Sequence, residues 1–300
     1  MDFSAHLNAS AVWLNEYALA VTTLMALTAL VVEITNRSLQ ARRSSTVNSE
    51  WTRTWLTNVG LLVCAMGVSW MLAPWLSPAF SAVLSGDAGL LAWLDVASVS
   101  YVGYVLLGVI LLDLLSYILH RVFHQVPLLW RLHQVHHSDS AVNASTHFRQ
   151  HPMQHVLLPL MQLPLLWMLG ISGVSWLLYA ALSTAAQLWQ HAEAGRSTRV
   201  DRWLGVVLIT PLAHLTHHDQ RKEFHDHNFG TLFSFWDRLL GTYIKAPSKF
   251  HLGLPGHHSG QRSKSFVSLF DCLHMPFKSS VTPALSRGST PFRTHIQGKK

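Results

Sequence analysis

Fourteen of the 20 histidines lie between His120 and His227, and their spacing repeats. His120-Arg-Val-Phe-His124 is an i, i+4 pair, which on a helix aims two imidazoles from one face toward a common point. His133-Gln-Val-His136-His137 and His214-Leu-Thr-His217-His218 share the pattern H-x-x-H-H, and His191 stands between them. Neutral imidazole is a ligand for iron, zinc and copper. Eight box histidines plus His191 exceed what one four-coordinate zinc can use, so two metal ions are the economical reading. Ligating rings need carboxylates or carbonyls to orient them, and Asp113, Asp139, Glu193, Asp219 and Asp226 are within reach in sequence. The alternatives fit less well. No H-E-x-x-H string is present for a zinc protease. A bis-histidine haem would want its ligands deep in facing spans. A metal transporter would place ionisable residues at mid-membrane depth, where only Asp113 comes near. Isolated histidines such as His6, His251, His274 and His295 read as surface or capping residues.

The elements that must carry these boxes are membrane-like. The chain of 300 residues is 49% hydrophobic and 12% charged, and a soluble domain has about a quarter of its residues charged. Residues 18–34, 55–76 and 96–119 are apolar runs near the roughly 20 residues a spanning helix needs. The second is expected to end at Pro74 and Pro78. The third should continue as a helix into the first histidine box. The run 156–190 contains Pro159, Pro164, Gly170 and Gly173, and reads as a hairpin of two shorter helices turning near residues 169–174. About four transmembrane helices with a histidine-rich helical cap are therefore expected, an all-α integral membrane fold. The expected divisions are an N-terminal transmembrane region at 1–112, a histidine-box domain at 113–256 and a tail at 257–300.

Charge sets the orientation. Arg37, Arg42, Arg43 and Arg53 are the only basic residues before His120, and the other 18 Lys and Arg follow it. The loop bearing the early arginines is expected on the cytoplasmic side. Counting spans from there puts the histidine cluster and the C-terminus on that same side, in a bacterial inner membrane or the endoplasmic reticulum. Residues 1–16 carry no Lys or Arg, so the first apolar run lacks the basic flank of a cleaved signal and is expected to stay. The net charge of +7 comes without a DNA-reading motif or an interleaved aromatic platform, and nucleic acid is not an expected partner. With only Cys64 and Cys272 there is no disulfide framework and no iron–sulfur site.

The match to a known pattern extends beyond histidine. Residues 113–124, the run Leu129-Trp130-Arg131-Leu132-His133-Gln134-Val135-His136-His137-Ser138, and Thr146, Arg149, His151 and Pro152 together resemble the fatty acid hydroxylase and sterol desaturase superfamily. So do Thr210-Pro211, Asn228-Phe229-Gly230 and the run from Phe235 to Thr242. Only eight residues separate His124 from His133, which leaves no room for a span and sets the chain apart from acyl desaturases with widely spaced boxes. The resemblance covers about residues 113–256. It implies a di-iron centre ligated by His120, His124, His133, His136, His137, His191, His214, His217 and His218. It further implies O2 as co-substrate and a membrane lipid that is hydroxylated or desaturated. Gln187 stands where some members have a tenth ligand, and Gln187-Leu-Trp-Gln-His191 is similar to the ether-lipid-cleaving branch. Arg149-Gln-His151-Pro152 is closer to the general hydroxylases, so the branch stays open. His147 and His227 are expected to be neighbours of the site. No flavin-type G-x-G-x-x-G is present, so electrons should come from a separate donor, a ferredoxin or a cytochrome with its reductase. Arg196, Arg199, Arg202, Arg221 and Lys222 are a basic surface for docking it. A non-catalytic metal-binding membrane protein is the alternative from another class.

Overall fold

The computed structural model describes residues 48–193, 196–255 and 267–278. The expected first span at 18–34 lies outside them, as do Arg37, Arg42 and Arg43. Among the described residues all regular elements are helical, and the only β pairing is two isolated bridges, Leu208 with Phe233 and Asp219 with Leu252. The main helices are α1 (Asn48–Val83), α2 (Tyr101–Gln125), α3 (Pro127–His137), α4 (Gln154–Leu169), α5 (Gly173–His191) and α6 (Pro211–His217).

Among the described residues two helices are long and apolar enough to cross a membrane, Trp51–Val83 within α1 and α2. α1 corrects one expectation: it runs through Pro74 and Pro78 to Val83 instead of ending there. Each proline removes one intrahelical bond, and the apolar turns on either side carry the helix past both. Its outer face is apolar and uncovered, with Trp70 80% and Trp75 71% exposed. A patch of that kind is unstable in water and stable against lipid. α2 starts later than the expected 96–119 because Ser100 takes an extended conformation and caps the helix, its hydroxyl oxygen accepting from Gly103 N. It then continues through the first box, as the sequence implied, so His120 and His124 occupy its last turns.

The hairpin forms where expected, although Pro159 and Pro164 lie inside α4 and do not break it. Gly170 ends α4 with a φ of 71° and returns its N–H to Leu166 O and Trp167 O. The α1–α2 connection closes over this turn: Gly173 N donates to Leu84 O, and Tyr104 Oη donates to Gly170 O at 2.9 Å. The hairpin tip therefore sits at the end of the bundle remote from the boxes, and the end of α5 returns to them. Gly108 on α2 lets α5 approach until a Cβ there would collide with Ser175 Oγ. The interior between these helices is apolar, built on Leu112, Leu115, Leu119, Leu166, Ile171 and Tyr179.

A second apolar cluster lies under the cap and includes Leu61, Trp130, Val135, Val267, Cys272 and Met275. Residues 267–278, inside the stretch expected to be a tail, are packed against α1 and α3, with Ser268 capping a short helix, Leu269–His274. Buried Arg149 joins these pieces, donating to Val135 O, Ser138 Oγ, Asn58 Oδ1 and Val267 O at 3.0–3.4 Å.

Replacing Gly170 should cost the hairpin turn. A Cβ there would stand 2.5 Å from Ala88 O on a backbone of positive φ, a conformation that costs a non-glycine residue about 1–2 kcal/mol before the clash is counted. Gly170→Ala should therefore lower the midpoint of thermal unfolding in detergent, and Gly67→Ala, where a Cβ meets nothing within 4 Å, should not.

Candidate metal centre

Four separate elements deliver the histidines to one end of the bundle. The last turns of α2 bring His120 and His124, α3 brings His133, His136 and His137, α5 ends on His191, and α6 with its C-cap brings His214, His217 and His218. The structure gathers all nine expected residues and divides them into two groups. His120, His124, His133, His137 and His217 form one, and His136, His191, His214 and His218 the other, with the ligand atoms in each within 4.8 Å of one another. Adjacent residues part company here: on α3 the i, i+4 relation sends His133 and His137 to the first group, while His136 turns to the second. The rings of His137 and His218 stack at 4.6 Å and form the seam between the groups.

Hydrogen bonds on the far side of the rings decide which nitrogen is free. His120 Nδ1 meets Phe229 O at 2.9 Å and His217 Nδ1 meets His227 O at 2.8 Å. His124 Nδ1 meets Asp226 Oδ1 and His133 Nδ1 meets Gln154 Oε1, both at 3.3 Å. Each partner is an acceptor, so the proton sits on Nδ1 and Nε2 is a bare lone pair. The Nε2 atoms of all four are buried and have no hydrogen-bond partner. Such atoms are costly to bury, and a bound cation satisfies them together. In the second group His191 Nδ1 donates to Gln187 O at 2.7 Å, which leaves its Nε2 bare at 3.3 Å from His136 Nε2 and 3.0 Å from His214 Nε2. His214 Nε2 in turn lies 3.2 Å from His218 Nε2. Four ring nitrogens at such distances call for a cation among them. The donor set is all imidazole and fits iron, zinc or copper.

Burial, followed by repulsion from neighbouring imidazoles, holds His136, His137, His214 and His218 well below the ordinary histidine range. Burial is also the largest cause of the same downward shift at His133 and His217. These rings are neutral at physiological pH, the form that binds metal.

Of the carboxylates expected to orient the rings, Asp226 does so at His124, and three others serve elsewhere. Asp113 accepts from Leu232 N, Phe233 N, Trp236 Nε1 and Tyr179 Oη. Asp139 accepts from Ala141 N and Thr146 Oγ1. Asp219 binds Arg221 through two bonds of 2.8 and 2.7 Å. The ring-orienting groups unnamed in the sequence reading are Gln154 and the main-chain carbonyls of Phe229, His227 and Gln187. Carbonyls leave no trace in residue identity, although Phe229 belongs to the Asn-Phe-Gly turn that the sequence marks. His225 was also passed over; with His124 and Asp226 it makes a smaller cluster at the edge of the first group. His147 and His227 contribute to neither group. Arg196 and Arg221, expected on a docking surface, bond inward to Val142 O and Asp219, while Arg199, Arg202 and Lys222 are exposed.

A cavity of about 280 Å³ reaches the site between α2, α4 and α5. Its wall passes from Leu112, Leu158 and Trp176 to His120 and His133 of the first group and His136 and His214 of the second.

A helical fold that gathers three histidine boxes into two adjoining groups beside a cavity within the bundle defines a histidine-box protein. Residues 105–242 match the family model for fatty acid hydroxylase. Alkylglycerol monooxygenase of Danio rerio is 30% identical over 142 residues, covering 47% of this chain and 31% of that protein. Ornithine lipid hydroxylase OlsE of Rhizobium tropici is 29% identical, covering 51% of this chain and 46% of its own. Lathosterol oxidase of Homo sapiens is 28% identical, covering 46% and 44%. The chain thus spans about a third to under half the length of these relatives. No solved structure matches it.

The lowered histidine values carry a sign for stability. A group whose folded pKa lies below its unfolded value of about 6.5 takes up more protons when unfolded, so stability is present above that pH and lost as pH falls below it. Metal-free protein should consequently show a lower urea midpoint at pH 5.5 than at pH 7.5, measured by circular dichroism. An unchanged midpoint would mean that the rings are not buried neutral.

Proposed function

We propose that the protein is an integral membrane, O2-dependent di-iron oxidoreductase that hydroxylates or desaturates a membrane lipid. The observation that carries this reading is the single cavity that joins an apolar wall inside the helix bundle to both histidine groups. The nearness of residues 105–242 to proteins named as lipid hydroxylases and a sterol oxidase supports it. His120, His124, His133, His137 and His217 would hold one iron, and His136, His191, His214 and His218 the other. Iron bound there supplies the activation of O2 and the removal of hydrogen from an unactivated C–H bond. The chain's own residues do the rest. Phe229 O, His227 O, Gln154 and Asp226 fix the proton of each ring on Nδ1, so that Nε2 stays available. Leu119 and Phe123 line the cavity beside His120 and keep water from the reacting carbon. Whether one hydrogen is replaced by hydroxyl or two are removed depends on where the walls place that carbon. Electrons come from a separate donor protein docking on the exposed cap, where Arg199, Arg202 and Lys222 offer positive charge.

An ether-lipid monooxygenase is the second reading within this class. Gln187 lines the cavity one turn before His191, and the similarity to alkylglycerol monooxygenases favours it.

The bundle is read as four spans with the cap cytoplasmic, α4 and α5 forming a re-entrant or spanning hairpin. Single cysteines introduced at Ser44 and Lys278 should react with a membrane-impermeant thiol reagent from the same side, and one at Asp87 from the other. Labelling of 278 opposite to 44 would overturn the topology.

Substitutions test the ligand set directly. His136→Ala and His217→Ala should each lower iron content and abolish lipid oxidation, while membrane insertion persists because the apolar helices govern it. His191→Ala should behave like them, Gln187→His should be tolerated, and His251→Ala should change little. Lipid mass spectrometry of cells with and without the protein reads the reaction as a gain of one oxygen or a loss of two hydrogens. A purified, reduced protein that binds iron yet consumes no O2 with donor and lipid would be a metal store and not an enzyme.

A further inference from the structure

One polar atom on the cavity wall is not accounted for by the metal centre. Gln190 on α5 is buried and lines the cavity. Its Nε2 donates to Ile209 O at 3.2 Å and to Thr231 O at 2.6 Å, and two carbonyls at those distances can only face the amide nitrogen. The orientation of the amide is therefore fixed, and Oε1 is the end left over. That oxygen is buried and has no hydrogen-bond partner. A buried carbonyl oxygen with no donor costs free energy that a ligand's hydroxyl can recover. The rest of the lining is polar without being charged near the histidines: Gln150, Gln154, Gln187 and Thr184 stand there, and no Asp, Glu, Lys or Arg lines the cavity at all. An ammonium-bearing head would enter with no carboxylate to meet it, close to cationic metal, and would lose its hydration uncompensated.

Resting on the reading of the site as a lipid oxygenase, we propose that its substrate carries a neutral, hydroxyl-bearing head that donates a hydrogen bond to Gln190 Oε1. The apolar chain then extends along Leu158 and Trp176 toward the bilayer. Gln190 is thus a positioning and specificity residue: it sets which carbon stands at the histidine groups.

The experiment compares three chain-matched probes on the iron-loaded full chain in neutral detergent, by equilibrium competition against radiolabelled hexadecane-1,2-diol. The diol donates, methyl hexadecanoate only accepts, and hexadecylamine is a cation at pH 7.5. The diol should bind about tenfold tighter than the ester, the worth of one buried hydrogen bond, and the amine more weakly than both. Gln190→Met should erase the advantage of the diol, leave ester binding within about twofold and keep the iron content unchanged. Equal binding of diol and ester, or amine binding as tight as the diol, overturns the proposal, as does a diol advantage that survives in Gln190→Met. Loss of iron in that variant overturns it too, since the amide would then serve the metal. Should Gln190→Met fail to fold, seen as loss of ester binding, the probe series on the native chain decides alone. Binding is read without turnover, so an enzyme that proves inactive toward lipids while preferring the diol would sink the oxygenase reading and not the head-group assignment.

Discussion

The fold around the site is organised by one constraint: several imidazole lone pairs must be kept bare inside the protein. A neutral histidine has one nitrogen with a proton and one without, and in water the two exchange freely. Here the choice is made at His120, His124, His133 and His217 by an acceptor behind each ring. Those acceptors must themselves be immobile. Phe229 O is held because Asn228 adopts a φ of 55° and the Asp237 carboxylate takes both Phe229 N and Gly230 N at 2.8 Å. Asn228 adds bonds to Ala213 O, which ties the same turn to α6, and to Ile244 O. A ring on α2 is thus oriented by a turn more than a hundred residues later, and that turn by a carboxylate outside both histidine groups.

Asp113 works at the next level. It lies seven residues before His120, about 10 Å along a helix axis, and binds the segment carrying Leu232, Phe233 and Trp236. A carboxylate so buried is stable only with its acceptors filled, and the four bonds fill them. Their effect is to lock the post-α6 segment onto the membrane helix, which fixes the depth of the cap relative to the bundle. Arg149 does the equivalent on the other side by joining α1, α3 and the 267–278 segment.

Much of this was legible in the sequence, and the reasons are local. The period of an α-helix turns H-x-x-x-H and H-x-x-H-H into shared faces, and Gly170 beside an apolar run announces a turn. What could not be read is the partition between groups, because His136 and His137 are neighbours in sequence and part only through the direction of their side chains on α3. The carboxylates expected behind the rings are taken by other donors: Asp113 by the distant amides of Leu232 and Phe233, Asp139 by Ala141 N and Thr146 Oγ1, and Asp219 by the neighbouring Arg221. Proline was weighted too heavily at 74, 78, 159 and 164, where the helices run on through it.

The two groups also differ in what holds them. In the first, four of five rings are fixed from behind by protein acceptors, and only His137 lacks a partner at both nitrogens. In the second, His191 alone has such an acceptor, and the Nδ1 atoms of His136, His214 and His218 are buried without one. The first group is therefore prearranged by the backbone turn at 227–230 and by Gln154. The second is arranged chiefly by contacts among the rings themselves, with ring centroids as close as 4.4 Å between His191 and His214. Because His191 closes α5, and α5 also presents Gln187 and Gln190 to the cavity, the less prearranged group continues into the cavity wall through α5, while the first reaches the same wall through His120 on α2 and through Gln154 on α4.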